Sequence, residues 1–255
     1  MNENVVQAIL SYGDRYCKEI QNQYNKDYLK ENWWEALKFF FGRAFYQGRQ
    51  EGMSEKVDKA AVDVLEIEVS ILKTCFENKN WELLKEKLKE KIGRGKVGKA
   101  RDVEMVISTL KYVSRLPNRN MIVHSVERIN SGKIEDHYKE LQYQYNQANG
   151  IFQVGPKIAS LYLRDVVSLF QLEDKLSDYD YIYLQPIDTS VRKVAIKMGL
   201  VTNAETDVND DEIRVNIVKL CQKFRCSPLQ FNHGAWYTGN YAFDLLFENL
   251  AKQRV

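Results

Sequence analysis

Two segments of this 255-residue chain carry residue types able to do chemistry. In GIFQVGPKIASLYLRDVVSLF (150–170), a turn centred on Val154 and Gly155 runs into a helix that Pro156 can open, because the first helical position needs no N–H. Lys157, a primary amine, then falls in the first turn, and the preceding helix is expected to end near Asn149. Helix, glycine hairpin and helix together present backbone amides to a DNA phosphate without reading base sequence. In QPIDTSVRKVAIKMGL (185–200), Val191, Val194, Ala195 and Met198 mark the buried stripe of a helix that opens at Asp188-Thr189-Ser190. Asp188 stands at the N-cap, where the helix dipole favours a carboxylate. Taken alone, that aspartate reads either as a cap or as a carboxylate held for catalysis.

A third segment, GRGKVGKA (93–100), satisfies G-x-G-x-x-G and misses a Walker A loop only because Ala100 replaces Ser or Thr. Such loops bind phosphate when a buried strand delivers the chain into the glycine turn. Here the preceding residues are WELLKEKLKEKI, a lysine-rich amphipathic helix, and no βαβ pattern surrounds them. The expectation is a basic loop rather than a nucleotide site. From Lys85 to Arg101 eight basic and two acidic residues give +6, so the other residues sum to −4 within the net +2. A patch of this sign attracts phosphates, although a solvated helix face followed by a loop has the same composition.

The elements that must position these residues read as helices. Apolar residues recur at helical spacing, as in Ala36, Phe39, Phe40 and Ala44, and again in Val103, Val106, Ile107 and Leu110. Four prolines and thirteen glycines leave no linker, repeat or low-complexity tract. A compact all-α protein is expected. Apolar residues at 44% and charged residues at 28% fit a soluble chain, and no apolar run reaches membrane-spanning length. The amino terminus has no signal-peptide pattern, so a cytoplasmic, nucleoid-associated location is expected. Cys17, Cys75, Cys221 and Cys226 match no zinc or cluster spacing, and His124, His137 and His233 stand far apart, so no metal site is legible.

The hairpin and the Asp188 helix together resemble the helix-hairpin-helix DNA glycosylase superfamily, which includes endonuclease III. That family has L-P-G-V-G-x-K-x-A followed by V-D-T-H-V-x-R-V, and here FQVGPKIA and IDTSVRKV stand at those places. Phe152-Gln153 replaces Pro-Gly, Ser190 replaces His, and the cluster cysteines of endonuclease III are absent. The long connection between the segments is more similar to the archaeal-type 8-oxoguanine DNA glycosylases (AGOG). The resemblance covers about fifty residues.

The resemblance implies an all-α, two-lobed glycosylase fold. One lobe would be residues 33–171, ending in the hairpin; the other would be 1–32 with 172–255, carrying Asp188. It implies Lys157 as nucleophile and Asp188 as catalytic carboxylate. It implies a base pocket of Gln47, Trp81, Pro156, Asn232 and Trp236, with Asn232 standing where the branch has an acid. Val154, Gly155, Arg192, Lys193, Arg94, Lys96 and Lys99 would meet the DNA backbone. The expected activity is excision of a damaged base, most of all 8-oxoguanine, with lyase cleavage at the resulting abasic site. The expected partner is double-stranded DNA bearing the lesion, bound by a monomer with no membrane, metal or nucleotide cofactor. The alternatives are a noncatalytic hairpin DNA-binding protein, a glycosylase for another base, and a nucleotide-dependent enzyme using GRGKVGKA.

Overall fold

The computed structural model describes residues 3–46, 51–201 and 209–252. These residues are all-helical: no β-strand occurs among them, and one isolated bridge joins Gln142 to Ile151. In chain order the helices are α1 (Glu3–Gln23), α2 (Lys26–Glu31), α3 (Trp33–Ala44), α4 (Glu51–Ile67), α5 (Val69–Asn78), α6 (Glu82–Ile92) and α7 (Ala100–Val113). There follow α8 (Met121–Asn130), α9 (Ile134–Leu141), α10 (Pro156–Phe170), α11 (Thr189–Lys197), α12 (Asp210–Phe224), α13 (Pro228–Tyr237) and α14 (Phe243–Lys252). A single π-helical turn, Thr238–Ala242, links the last two. No described helix is long and apolar enough to cross a membrane.

The chain forms two compact units, residues 26–162 and residues 1–25 with 163–255. Both boundaries fall earlier than the expected starts at 33 and 172. The second lies inside α10, between Tyr162 and Leu163.

In the 26–162 unit the aromatic-rich α3 buries Phe39, Phe40 and Phe41. The stripe of α7 buries Val103, Val106, Ile107 and Leu110, and α6 buries Leu84, Leu88 and Ile92. Asn32 caps α3 by accepting from the Trp34 and Glu35 amides. Asn120 caps α8 through Val123 N–H while its own amide nitrogen donates to the Leu29 and Lys30 carbonyls, tying α2 to α8. Residues 93–99 form the α6–α7 loop, with a helix and not a strand before them. The Asp102 carboxylate accepts the Lys99 amide at 2.6 Å and closes that loop onto α7.

In the other unit Val5, Val6, Ile9 and Leu10 of α1 share a core with Val191, Val194 and Ala195 of α11, Ile213 and Ile217 of α12, and Phe231 of α13. α1 and α13 touch backbone to backbone. A Cβ on Gly13 would stand 1.9 Å from the Gln230 carbonyl oxygen, and one on Gly234 would stand 1.8 Å from that of Ile9. No side chain can yield to relieve either clash. Gly234→Ala should therefore lower unfolding stability by about 3 kcal/mol or more, measured by urea denaturation. Gly52→Ala, in α4 with open space around it, should raise stability by up to about 1 kcal/mol.

Candidate functional site

The hairpin is built from turn chemistry. α9 ends at Leu141, not near Asn149 as expected. The Gln142 side chain turns back to donate to the Tyr138 carbonyl at 2.9 Å, and Asn146 Oδ1 accepts the Asn149 amide at 3.1 Å. A Cβ at Gly150 would lie 2.5 Å from the Gln142 oxygen, so residues 142–150 fold as tight turns. The Ile151 amide donates to Leu141 O, Val154 N–H to Ile151 O, and Phe152 N–H to Ser108 Oγ on α7. Gln153 takes φ +67°, the left-handed conformation for which the family pattern uses glycine.

α10 opens at Pro156 as expected, with Lys157 in its first turn. Lys157 Nζ donates to the Tyr46 carbonyl at 3.1 Å. Beside the hairpin a groove of about 440 Å³ is lined by Lys111, Arg115, Tyr143 and Phe152 among others. The Tyr143 and Phe152 rings meet edge to face at 5.4 Å.

Asp188 is held in the other unit. It caps α11, and both capping bonds go to one oxygen: Oδ1 accepts the Ser190 amide at 3.0 Å and the Val191 amide at 2.9 Å. Oδ2 has no hydrogen-bond partner among the described residues. Three contacts fix the segment around it. Arg214 Nε donates to the Gln185 carbonyl at 3.1 Å, and Asn232 Nδ2 donates to Pro186 O at 3.4 Å. The π turn lies against the Ser190 backbone, where a Cβ at Gly239 would be 2.4 Å from Ser190 O.

Asn232 is fully buried, and its amide oxygen accepts from Arg164 at 2.7 Å. It joins a buried Arg164–Asp165 ion pair on α10, 2.9 Å apart, to the chain that leads to Asp188. Its geometry is that of a positioning residue, with both ends of the amide bonded internally. Burial first, and then the Asp165 and Glu173 carboxylates, push the nearby Cys17 thiol up to about 11 despite the opposing Arg164 charge. Trp236, one turn after Asn232, is partly buried among the rings of Tyr16 at 5.6 Å and Tyr241 at 6.0 Å. The Arg164–Asp165 pair escaped sequence reasoning, although two adjacent charges inside the apolar stripe IASLYLRDVVSLF are a usable signal.

The remaining expected residues are dispersed. Gln47 lies outside the described residues. Trp81 is buried before α6, edge-on to Phe76 at 5.5 Å, and no ring contact or hydrogen bond joins it to Lys157. Arg94, Lys96 and Lys99 are exposed on the α6–α7 loop. Arg192 pairs with Asp210 at 2.5 Å, and Lys193 Nζ sits 3.7 Å over the Phe243 ring. The chain matches no protein-family model, no curated protein and no solved structure.

One expectation about histidines is corrected. The rings of His124 and His137 meet at 5.0 Å with Glu140 beside both, because α8 and α9 are neighbours and H-x-x-E puts His137 and Glu140 on one helix face. Burial pushes the Glu140 carboxyl up, but hydrogen bonds from both histidines and Arg128 outweigh it and hold the group far below its ordinary value. Burial lowers His137.

Asn232→Ala leaves the buried Arg164 guanidinium short of an acceptor and frees Pro186. The expected cost is about 2–3 kcal/mol in chemical denaturation.

Proposed function

We propose that this chain is a base-excision DNA glycosylase with abasic-site lyase activity, of the helix-hairpin-helix type with two lobes, acting most of all on 8-oxoguanine in duplex DNA. The observation that carries the reading is the Asp188 carboxylate. One oxygen is fixed by two backbone amides and the other has no hydrogen bond among the described residues, so capping and catalysis do not compete for the same atom. A lysine in the first turn after a left-handed hairpin supports it, as do the exposed cations of the α6–α7 loop.

The chemistry follows from these residues. Extruding a nucleotide costs a few kcal/mol, and stacking on an aromatic face such as Trp236 returns roughly 1–3 kcal/mol. As the glycosidic bond breaks, positive charge grows at C1′, and a carboxylate held in place stabilises it. Attack by the Lys157 nitrogen exchanges its bond to Tyr46 O for one to C1′. The base leaves with the electron pair of the glycosidic bond and takes up the proton that the nitrogen sheds. Opening of the sugar gives an imine, and loss of a C2′ proton expels the 3′ phosphate. Arg94, Lys96 and Lys99 hold the DNA backbone, which makes binding salt-dependent.

Borohydride trapping tests this reading on duplexes with 8-oxoguanine, an abasic site or guanine. A covalent band with 8-oxoguanine that Lys157→Gln abolishes is the expected result. A band with the abasic site alone keeps the lyase and moves the lesion to another base. Normal DNA binding with neither a band nor base release favours the noncatalytic hairpin protein. Asp188→Asn separates the two roles of that residue, because asparagine caps helices as well as aspartate does. Thermal stability should stay near wild type while base release falls on the order of 100-fold or more.

A further inference from the structure

The His124, His137 and Glu140 cluster in the 26–162 unit plays no part in that chemistry. Nε2 of His124 lies 3.2 and 3.3 Å from the two Glu140 oxygens, and Nδ1 of His137 lies 3.3 Å from Oε2. All three ligand atoms fall within 4.8 Å of one another. A charge-assisted N–H···O bond is about 2.7–2.9 Å long, and the Arg128 contact to Oε2 is 3.0 Å. The histidine contacts are wider. A tetrahedral ion with bonds of about 2.0–2.1 Å separates its ligand atoms by about 3.3–3.4 Å. The two spacings at Glu140 match such an edge, whereas the two histidine nitrogens, within 4.8 Å of each other, must close by a side-chain rotation for both to reach one ion.

Two further observations point the same way. Ser125 Oγ, 2.7 Å from the Met121 carbonyl, lies 2.8 Å from His137 Nε2 and can accept from that ring nitrogen. His137 Nδ1 then faces the Glu140 carboxylate at 3.3 Å, a contact that either a proton or a metal ion can bridge. Donation of the second ring nitrogen to a fixed acceptor is the usual outer-shell arrangement of metal-bound histidine. In addition, the buried Tyr112 phenol interacts with the Glu140 carboxylate, and its ring stands edge-on to His124 at 6.4 Å, so an aromatic wall closes the cluster on that side.

We propose that His124, His137 and Glu140 bind one divalent transition-metal ion of zinc-like chemistry, which pins α8 to α9. Two imidazoles and one carboxylate suit such an ion and leave a position for water. Arg128 holds one carboxylate oxygen from outside, as ligating carboxylates are commonly held.

Titration of the chelator-stripped full chain with Co²⁺ tests the site. One equivalent should bind, giving visible d–d bands of a nitrogen and oxygen site without thiolate charge transfer, and Zn²⁺ should bleach them. His124→Gln, at a half-buried ligand, should weaken binding by more than about 100-fold. Ser125→Ala, which removes the hydroxyl facing His137 together with its contacts to Met121 and Tyr162, should weaken it by about 10-fold in protein whose helical circular dichroism matches wild type. The wild-type spectrum decides even if either variant misfolds. Absence of bands, or thiolate bands from Cys221 and Cys226, overturns the site and leaves a proton between His137 and Glu140. Undiminished binding in both folded variants overturns it as well.

Discussion

The Ser125 hydroxyl is the point on which the hairpin half of the molecule depends. It donates to Met121 O on α8, meets His137 Nε2 on α9, and lies 2.9 Å from the Tyr162 hydroxyl on α10. Tyr162 is fully buried between the rings of Phe39 and Phe40, and burial keeps its phenol neutral far above its ordinary titration range. α9 enters the 142–155 connection and α10 leaves it. One small polar group therefore fixes both flanks of the turn that delivers Lys157. Buried hydroxyls without partners are costly, and a network in which each has one specifies a single arrangement of helices.

The other unit is organised by absence of side-chain volume. With no Cβ at Gly13 or Gly234, α1 and α13 reach backbone contact, and that contact sets the orientation of α13. Asn232 on α13 then bonds both Arg164 and the Pro186 carbonyl, two residues before Asp188. A buried Arg–Asp pair gains little over apolar packing of the same volume, whereas removing one member leaves an uncompensated charge. Its value here is geometric. It ties α10, α13 and the start of α11 within one unit, so the carboxylate of Asp188 inherits its orientation from helices distant in sequence.

Periodicity made the helices legible, and the local rules of helix ends made Asp188 legible as a cap and Pro156 as a first residue. The end of α9 at Leu141 was not legible in this way. Residues 142–150 contain polar side chains that bond their own backbone, and such bonds compete with helix without altering the apolar stripe. Long-range polar pairing was not legible at all. Nothing local links Arg164 to Asn232, or His124 to Glu140, because those contacts exist only after helices dock. The resemblance assigns Asn232 to the base pocket, and in the fold its amide oxygen accepts from Arg164 while its nitrogen donates to the Pro186 carbonyl.

The departures from the glycosylase pattern fall where backbone, not side chain, does the work. Gln153 adopts the left-handed φ that the pattern assigns to glycine, at a cost of about 1–2 kcal/mol, and the turn is held by the Val154, Phe152 and Ile151 amides around it. Ser190 contributes its amide to Asp188 Oδ1, a bond that any residue but proline can make. The space around it is narrow, since a Cβ on Gly239 would come within 2.7 Å of the Ser190 Cβ. A small side chain at 190 is thus matched to the π turn beside it. Lys157 likewise rests on a backbone carbonyl. Main-chain groups orient both the Lys157 amine and the Asp188 carboxylate, so each keeps its place on its own helix without depending on the identity of the neighbouring side chains.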